Sequence, residues 1–296
     1  MSNKSKVKHY FSIFFFSAAF TLVGYSITKN LIEISAVSST NQSVCVPILM
    51  YHRVINSDLG KDTISPLEFE SDLKYLAENN YNTITMTQLI NYVYDGEELP
   101  PNPIILSFDD GYLSTYKNVY PLLQKYNFKI VLSIIGKSTD DFSKVCDTNI
   151  KYAHLTWDQI NEMAESGFVE IQNHSYNLHN IGKGRRYGCY IMQNEPMEDY
   201  EQVLTEDITT LQSKIESAIN FTPNTFTYPY GKYCDDTELI IKKLGFKSTL
   251  SVNFGVNIVQ KKNPETLYGL RRICRSHNQP INKLIKDGLE TLKYRN

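Results

Sequence analysis

Short, continuous apolar runs alternate along this chain with segments whose apolar positions recur every three to four residues. That is the pattern of strands buried on both faces, separated by amphipathic helices. The runs Val46–Tyr51 (VPILMY), Ile104–Phe108 and Lys129–Ile135 predict buried strands, as do Phe168–Gln172, Thr225–Tyr228 and Lys247–Ser251, with a shorter strand-like stretch over Asn82–Thr85. Ser65-Pro66-Leu67-Glu68 is a helix start with an N-cap, a first-turn proline and a capping box, and Phe69, Leu73 and Leu76 follow at helical spacing. Further helices are expected over Thr87–Tyr94 and Tyr116–Tyr126, from Thr156 to a cap at Gly167, and over Asp199–Asn220 and Thr237–Leu244. At least six β/α units within about 200 residues, joined by short connections, predict a barrel-like α/β domain with its site at the strand C-termini.

The first 30 residues are of another kind. Lys4, Lys6 and Lys8 precede a mostly apolar span from Tyr10 to Ile27, and Lys29 follows it. A span of ~18 residues with that flank predicts an inside N-terminus and export of the rest. No small-x-small cleavage site closes the run, which favours an uncleaved membrane anchor over a cleaved signal that would release a secreted chain. Residues 31–44, rich in Ser, Thr and Asn, read as a tether, leaving 45–296 as one catalytic domain.

Composition changes this picture little. The net charge of −2 gives no case for nucleic acid, and the basic run Lys183-Gly184-Arg185-Arg186 is short. Twenty-one tyrosines suit a carbohydrate surface but equally fill cores. Five scattered cysteines with no CxxC pair argue against a cysteine zinc site, and an odd number leaves at least one thiol unpaired.

The candidate chemistry sits where strands end. The run Ile104–Phe108 stops at Asp109-Asp110-Gly111, a pattern that fits either a solvated turn or two carboxylates addressing one cavity. His52 closes the first strand and reads either as a structural histidine or as a lining residue. His174 and His179 follow another strand, so they belong at the same end. Five apart, they suit joint ligation from a loop better than from a helix. Two histidines and one carboxylate leave coordination positions open, the arrangement of a catalytic zinc. A second carboxylate beside the metal has the task of taking a proton from water. In the loop Pro229-Tyr230-Gly231, the Tyr230 amide is a candidate oxyanion donor.

The stretches VPILMYHRV (46–54), LSFDDGY (106–112), LTWDQINEMAESGFVEIQNHSYNLH (155–179) and FTYPYG (226–231), in this order, resemble the polysaccharide deacetylases of carbohydrate esterase family 4. The resemblance implies a distorted (β/α)7 barrel and metal-dependent removal of acetyl groups from extracellular glycans, with N-deacetylation of an N-acetylglucosamine polymer as the leading expectation. An O-acetyl esterase and a degenerate glycan-binding barrel are the alternatives. Position by position, Asp109 resembles the general base, Asp110, His174 and His179 the metal ligands, and Tyr230 the oxyanion residue. Departures are also visible. The second histidine comes at five residues rather than four, as in a branch that includes exported poly-N-acetylglucosamine deacetylases. The arginine that commonly precedes Pro-Tyr-Gly is missing, and Arg272 or Arg275 is the expected substitute. No Leu-x-His motif supplies an acid, which leaves His277 as the C-terminal candidate.

Overall fold

Seven parallel strands close a ring in which neighbours in space are also neighbours in sequence. In this computed structural model, which describes residues 43–145, 147–180, 184 and 186–294, they are β1 (Ile48–Tyr51), β2 (Pro103–Phe108), β3 (Ile130–Ile134), β4 (Val169–Asn173), β5 (Thr225–Thr227), β6 (Ser248–Phe254) and β7 (Leu270–Cys274). Pairing of β7 and β2 with β1 completes the closure. Helices α1 (Pro66–Glu78), α2 (Met86–Tyr94), α3 (Tyr120–Tyr126), α4 (Gly136–Val145), α5 (Trp157–Glu165), α6 (Met197–Ile219), α7 (Asp235–Lys243) and α8 (Ile281–Glu290) accompany the strands. The expected (β/α)7 barrel is therefore present. Its distortion lies between β6 and β7, where a strand at Asn257–Gln260 and a short 3-10 turn stand in place of a helix.

Helix placement follows local chemistry. Ser65 and Glu68 form the expected capping box on α1, and Thr156 with Gln159 does the same on α5. From α1, Phe69 reaches the ring of strands and packs edge-on against Tyr51 and Phe108, whose own rings stack at 4.9 Å. Every residue of β1, β2 and β3 is buried, the burial expected of a parallel sheet covered on its outer face. The strand at β7 went unrecognised in the sequence because Arg271 and Arg272 interrupt its apolar run. Ser43 and Val44, read as the end of a tether, belong instead to a strand over Ser43–Val46.

The register decides where the chemistry sits. Tyr51 pairs with Phe108, Phe108 with Leu132, Ile134 with Asn173, and Asn173 with Phe226. The residues that follow these strand ends, His52, Asp109, His174 and Tyr228, therefore share one rim. Cys45–Asn296 forms one compact unit. The N-terminal span proposed as an anchor lies outside the described residues, among which no helix is long and apolar enough to cross a membrane.

Candidate active site

At that rim a cavity of about 390 Å³ is lined by His52, Asp109, Asp110, His174, His179 and Tyr230, among others. The backbone explains how two adjacent carboxylates both reach it. Asp110 and Gly111 take φ of 73° and 74°, a left-handed pair that reverses the chain at the end of β2. A side chain at Gly111 would also press on Ile134, its Cβ 3.1 Å from Cγ2. The His154 imidazole holds this turn from outside, its Nδ1 2.9 Å from the Asp110 carbonyl oxygen.

Asp109 is 3% exposed, and its carboxylate is gripped by both arms of the Arg272 guanidinium, at 2.7 and 2.8 Å. Arg272 is itself 1% exposed and donates from Nε to the Ser251 carbonyl at 2.7 Å, so its fork cannot swing away. Burial alone would raise the Asp109 pKa. The opposing charge of Arg272, with smaller help from His174, more than offsets that and holds it below the usual carboxylate value. Of the two arginines expected to replace the missing one, Arg272 reaches the site. Arg275 does not: it forks onto Asp72 of α1 at 2.8 and 3.1 Å.

Asp110, His174 and His179 bring one ligand atom each to within 4.8 Å of one another. Asp110 Oδ1 lies 3.5 Å from His174 Nε2 and 3.2 Å from His179 Nε2, yet it is buried without a hydrogen-bond partner. Ligand atoms around a tetrahedral zinc lie roughly 3.3 Å apart, so this spacing and the orphaned oxygen both fit a metal held by these three groups. His174 turns Nδ1 to the Thr227 carbonyl at 2.7 Å, which places the proton on Nδ1 and leaves Nε2 as the ligand atom. Burial, reinforced by the neighbouring His174, pushes the His179 pKa down to about 4, so this imidazole is neutral and able to ligate.

The connection from His174 to His179 is non-helical, as their spacing of five requires. Asp207 of α6 ties it down, accepting the backbone N–H groups of Tyr176 and Asn177 at 2.7 and 2.8 Å. No local motif marks Asp207 or His154 for these tasks, and sequence reasoning missed both. The turn after β5 follows the same design as the one after β2. Tyr230 and Gly231 take φ of 56° and 63°, and a Cβ on Gly231 would lie 2.2 Å from Val252 Cγ2. The N–H groups of Gly231 and Lys232 close this turn on Tyr228 and Pro229. The Tyr230 ring lies 4.0 Å from that of His179.

His52 and His277 go to different places. His52 lines the cavity, its Nε2 4.0 Å from Asp109 Oδ2 and its Nδ1 buried without a partner. His277 is not among the cavity's lining residues. Its Nδ1 instead meets Glu68 at 2.8 Å, where the carboxylate also caps α1. That destination corrects the expectation drawn from its position near the C-terminus.

The polysaccharide deacetylase family pattern matches residues 96–249. A poly-beta-1,6-N-acetyl-D-glucosamine N-deacetylase of Escherichia coli K12 is 24% identical over 227 residues, covering 70% of this chain and 33% of that protein. A protein of the same name from Staphylococcus aureus MSSA476 is 25% identical over 201 residues, covering 67% of this chain and 63% of that one. The chain thus spans a third of the first relative's length and under two thirds of the second's. Among solved structures, a de-N-acetylase from Aggregatibacter actinomycetemcomitans superposes with a TM-score of 0.70 at 26% identity, over 83% of this chain and 100% of that one.

Proposed function

The chain belongs to the polysaccharide deacetylase family, and from that premise we propose that it removes N-acetyl groups from an N-acetylglucosamine polymer outside the cell, with a divalent metal, zinc foremost, on Asp110, His174 and His179. The observation that carries this reading is that Asp109, held by the buried Arg272, shares one cavity with the ligand set. The names of the relatives favour a β-1,6-linked exopolysaccharide over peptidoglycan. A membrane anchor in the first 30 residues would hold the barrel at the outer face, where such polymers lie.

When bound, the metal supplies a Lewis acid that polarises the acetyl carbonyl and acidifies water. The chain's own residues do the rest. Asp109, ionised and fixed by Arg272, accepts the proton that water loses as its oxygen bonds to the acetyl carbon. The Tyr230 N–H, held by the left-handed turn, donates to the oxygen that gains negative charge. His52, which lines the same cavity with Nε2 4.0 Å from Asp109 Oδ2, delivers a proton to the departing nitrogen as the C–N bond breaks. Acetate and a free amine result.

Acetate release is the test, using the chain from Ser43 onward with β-1,6-linked N-acetylglucosamine oligomers, peptidoglycan and O-acetylated xylan, each with chelator and with metal restored. Chelator-sensitive release from the β-1,6 oligomers is expected. Release from the ester alone would replace the reading with an O-acetyl esterase, and oligomer binding without any release would make the barrel a glycan-binding module.

A further inference from the structure

Beyond the cavity, the segment from Arg186 to Glu195 holds an exposed ring, that of Tyr187, outside the buried core. Tyr187 is 46% exposed, yet the backbone on both sides of it is fastened. Arg186 grips the Glu195 carboxylate with both arms and donates to the Tyr190 carbonyl at 3.0 Å, while its guanidinium covers the Tyr200 ring at 5.2 Å. Gly188 lies so close to the turn after β5 that a Cβ there would stand 2.4 Å from the Pro229 carbonyl oxygen. Cys189 donates its N–H to the Lys232 carbonyl at 2.9 Å. The segment is thus docked on the very turn that carries Tyr230.

The consequence is a row of rings. His179 lies 4.0 Å from Tyr230, and Tyr230 lies 5.2 Å from Tyr187, leading outward from the ligand set to solvent. Lys232, on the same turn, places its ammonium over the Tyr187 ring, 5.4 Å from its centre. A large aromatic group held out in water by a closed network of contacts contributes little to the core, and its exposure is what a binding surface needs. The face of a pyranose presents several C–H groups together, an apolar patch that matches an aromatic face, while its hydroxyls remain at the edge within reach of an ammonium.

We infer that Tyr187, with Lys232 beside it, forms a subsite for a sugar ring next to the one being deacetylated, so that the protein prefers a polymer over a single sugar. This rests on the glycan reading above and adds to it a residue that sets chain-length preference. Tyr187 touches none of the reacting atoms in this scheme. Its removal therefore weakens the grip on the neighbouring sugar and leaves the chemical step as it was.

The test compares the wild-type chain with Tyr187→Ala and Tyr187→Phe, using N-acetylglucosamine and its β-1,6-linked pentamer. Binding is followed by ligand-observed NMR and turnover by initial rates of acetate release. Tyr187→Ala is expected to weaken pentamer binding and raise its KM by about three- to tenfold, the range for a lost ring contact, with kcat held. Monosaccharide binding should be unchanged, and Tyr187→Phe should behave as wild type. Equal pentamer affinity in wild type and Tyr187→Ala overturns the subsite, as does an equal loss with the monosaccharide. A Tyr187→Phe that is as weak as Tyr187→Ala overturns stacking as its basis. Binding that depends on Tyr187 without acetate release would uphold the subsite while refuting the catalytic reading, so the two fail separately.

Discussion

Replacing Arg272 by Met removes the group that does most to keep Asp109 charged in a buried position. The guanidinium makes two contacts to the carboxylate, at 2.7 and 2.8 Å, and neither side chain has appreciable access to water. Breaking one partner out of a buried pair costs about 3–5 kcal/mol when the survivor remains charged. At roughly 2–4 °C per kcal/mol for a domain of this size, that is a fall of ~6–20 °C in melting temperature. The cost depends on pH in a sense that can be derived. In the wild type the folded Asp109 pKa is depressed, so its contribution to stability is present above the unfolded value and is lost as pH falls through the lower, folded one. Without Arg272 the burial effect, the largest on this group, dominates and the folded pKa rises above the unfolded value. The sign then reverses: the variant keeps its stability below the unfolded pKa and loses it as pH rises through the folded one. Melting curves for Arg272→Met and wild type should therefore differ most at neutral pH and converge in acid. The acid limb of kcat/KM, which reports the free enzyme's base, should move to higher pH. An unmoved acid limb with an unchanged gap in melting temperature between pH 4 and pH 8 would refute the claim that Arg272 holds the base ionised.

Other consequences follow from the same geometry. His174→Ala or Asp110→Asn should reduce zinc affinity by more than the ~10–100-fold typical of losing an outer-shell partner, read by competition with a chromophoric chelator. His52→Ala should lower kcat by about 10²–10⁴-fold, the usual contribution of a proton donor or acceptor, whereas His277→Ala should leave acetate release intact, because His277 faces Glu68. Loss in the second variant but not the first would exchange their roles. Gly231→Ala introduces a Cβ 2.2 Å from Val252 Cγ2 at a φ of 63°, so it should cost roughly 1–3 kcal/mol in thermal unfolding and depress activity, with partial recovery when Val252→Ala is added.

What was legible in the sequence is what depends on near neighbours. The apolar runs located six of the seven barrel strands because a strand buried on both faces must be apolar throughout. The capping box at Ser65 and the helix start at Thr156 began the helices they mark, since each signal is complete within four residues. Asp109, Asp110, His174 and His179 were identifiable because each directly follows or closely succeeds a strand, and parallel strands all deliver their C-terminal ends to one rim.

What only the tertiary structure decided involves partners far apart along the chain. Arg272 meets Asp109 across 163 positions, and nothing local separates it from Arg275, which closes on Asp72 instead. Register and ring closure made that choice: β7 pairs with both β1 and β6, and within it Arg272 is buried and turned toward Asp109, while Arg275 lies just past the strand's end against α1. The histidines divided for the same reason. His52 follows a barrel strand and inherits the cavity, whereas His277 belongs to the segment leading into α8 and is held by the cap of α1. The sequence by itself determined which elements form and which chemistry their ends carry. The closing of the ring determined which charges face each other, because that depends on the spacing of strand ends in space and not on any period along the chain.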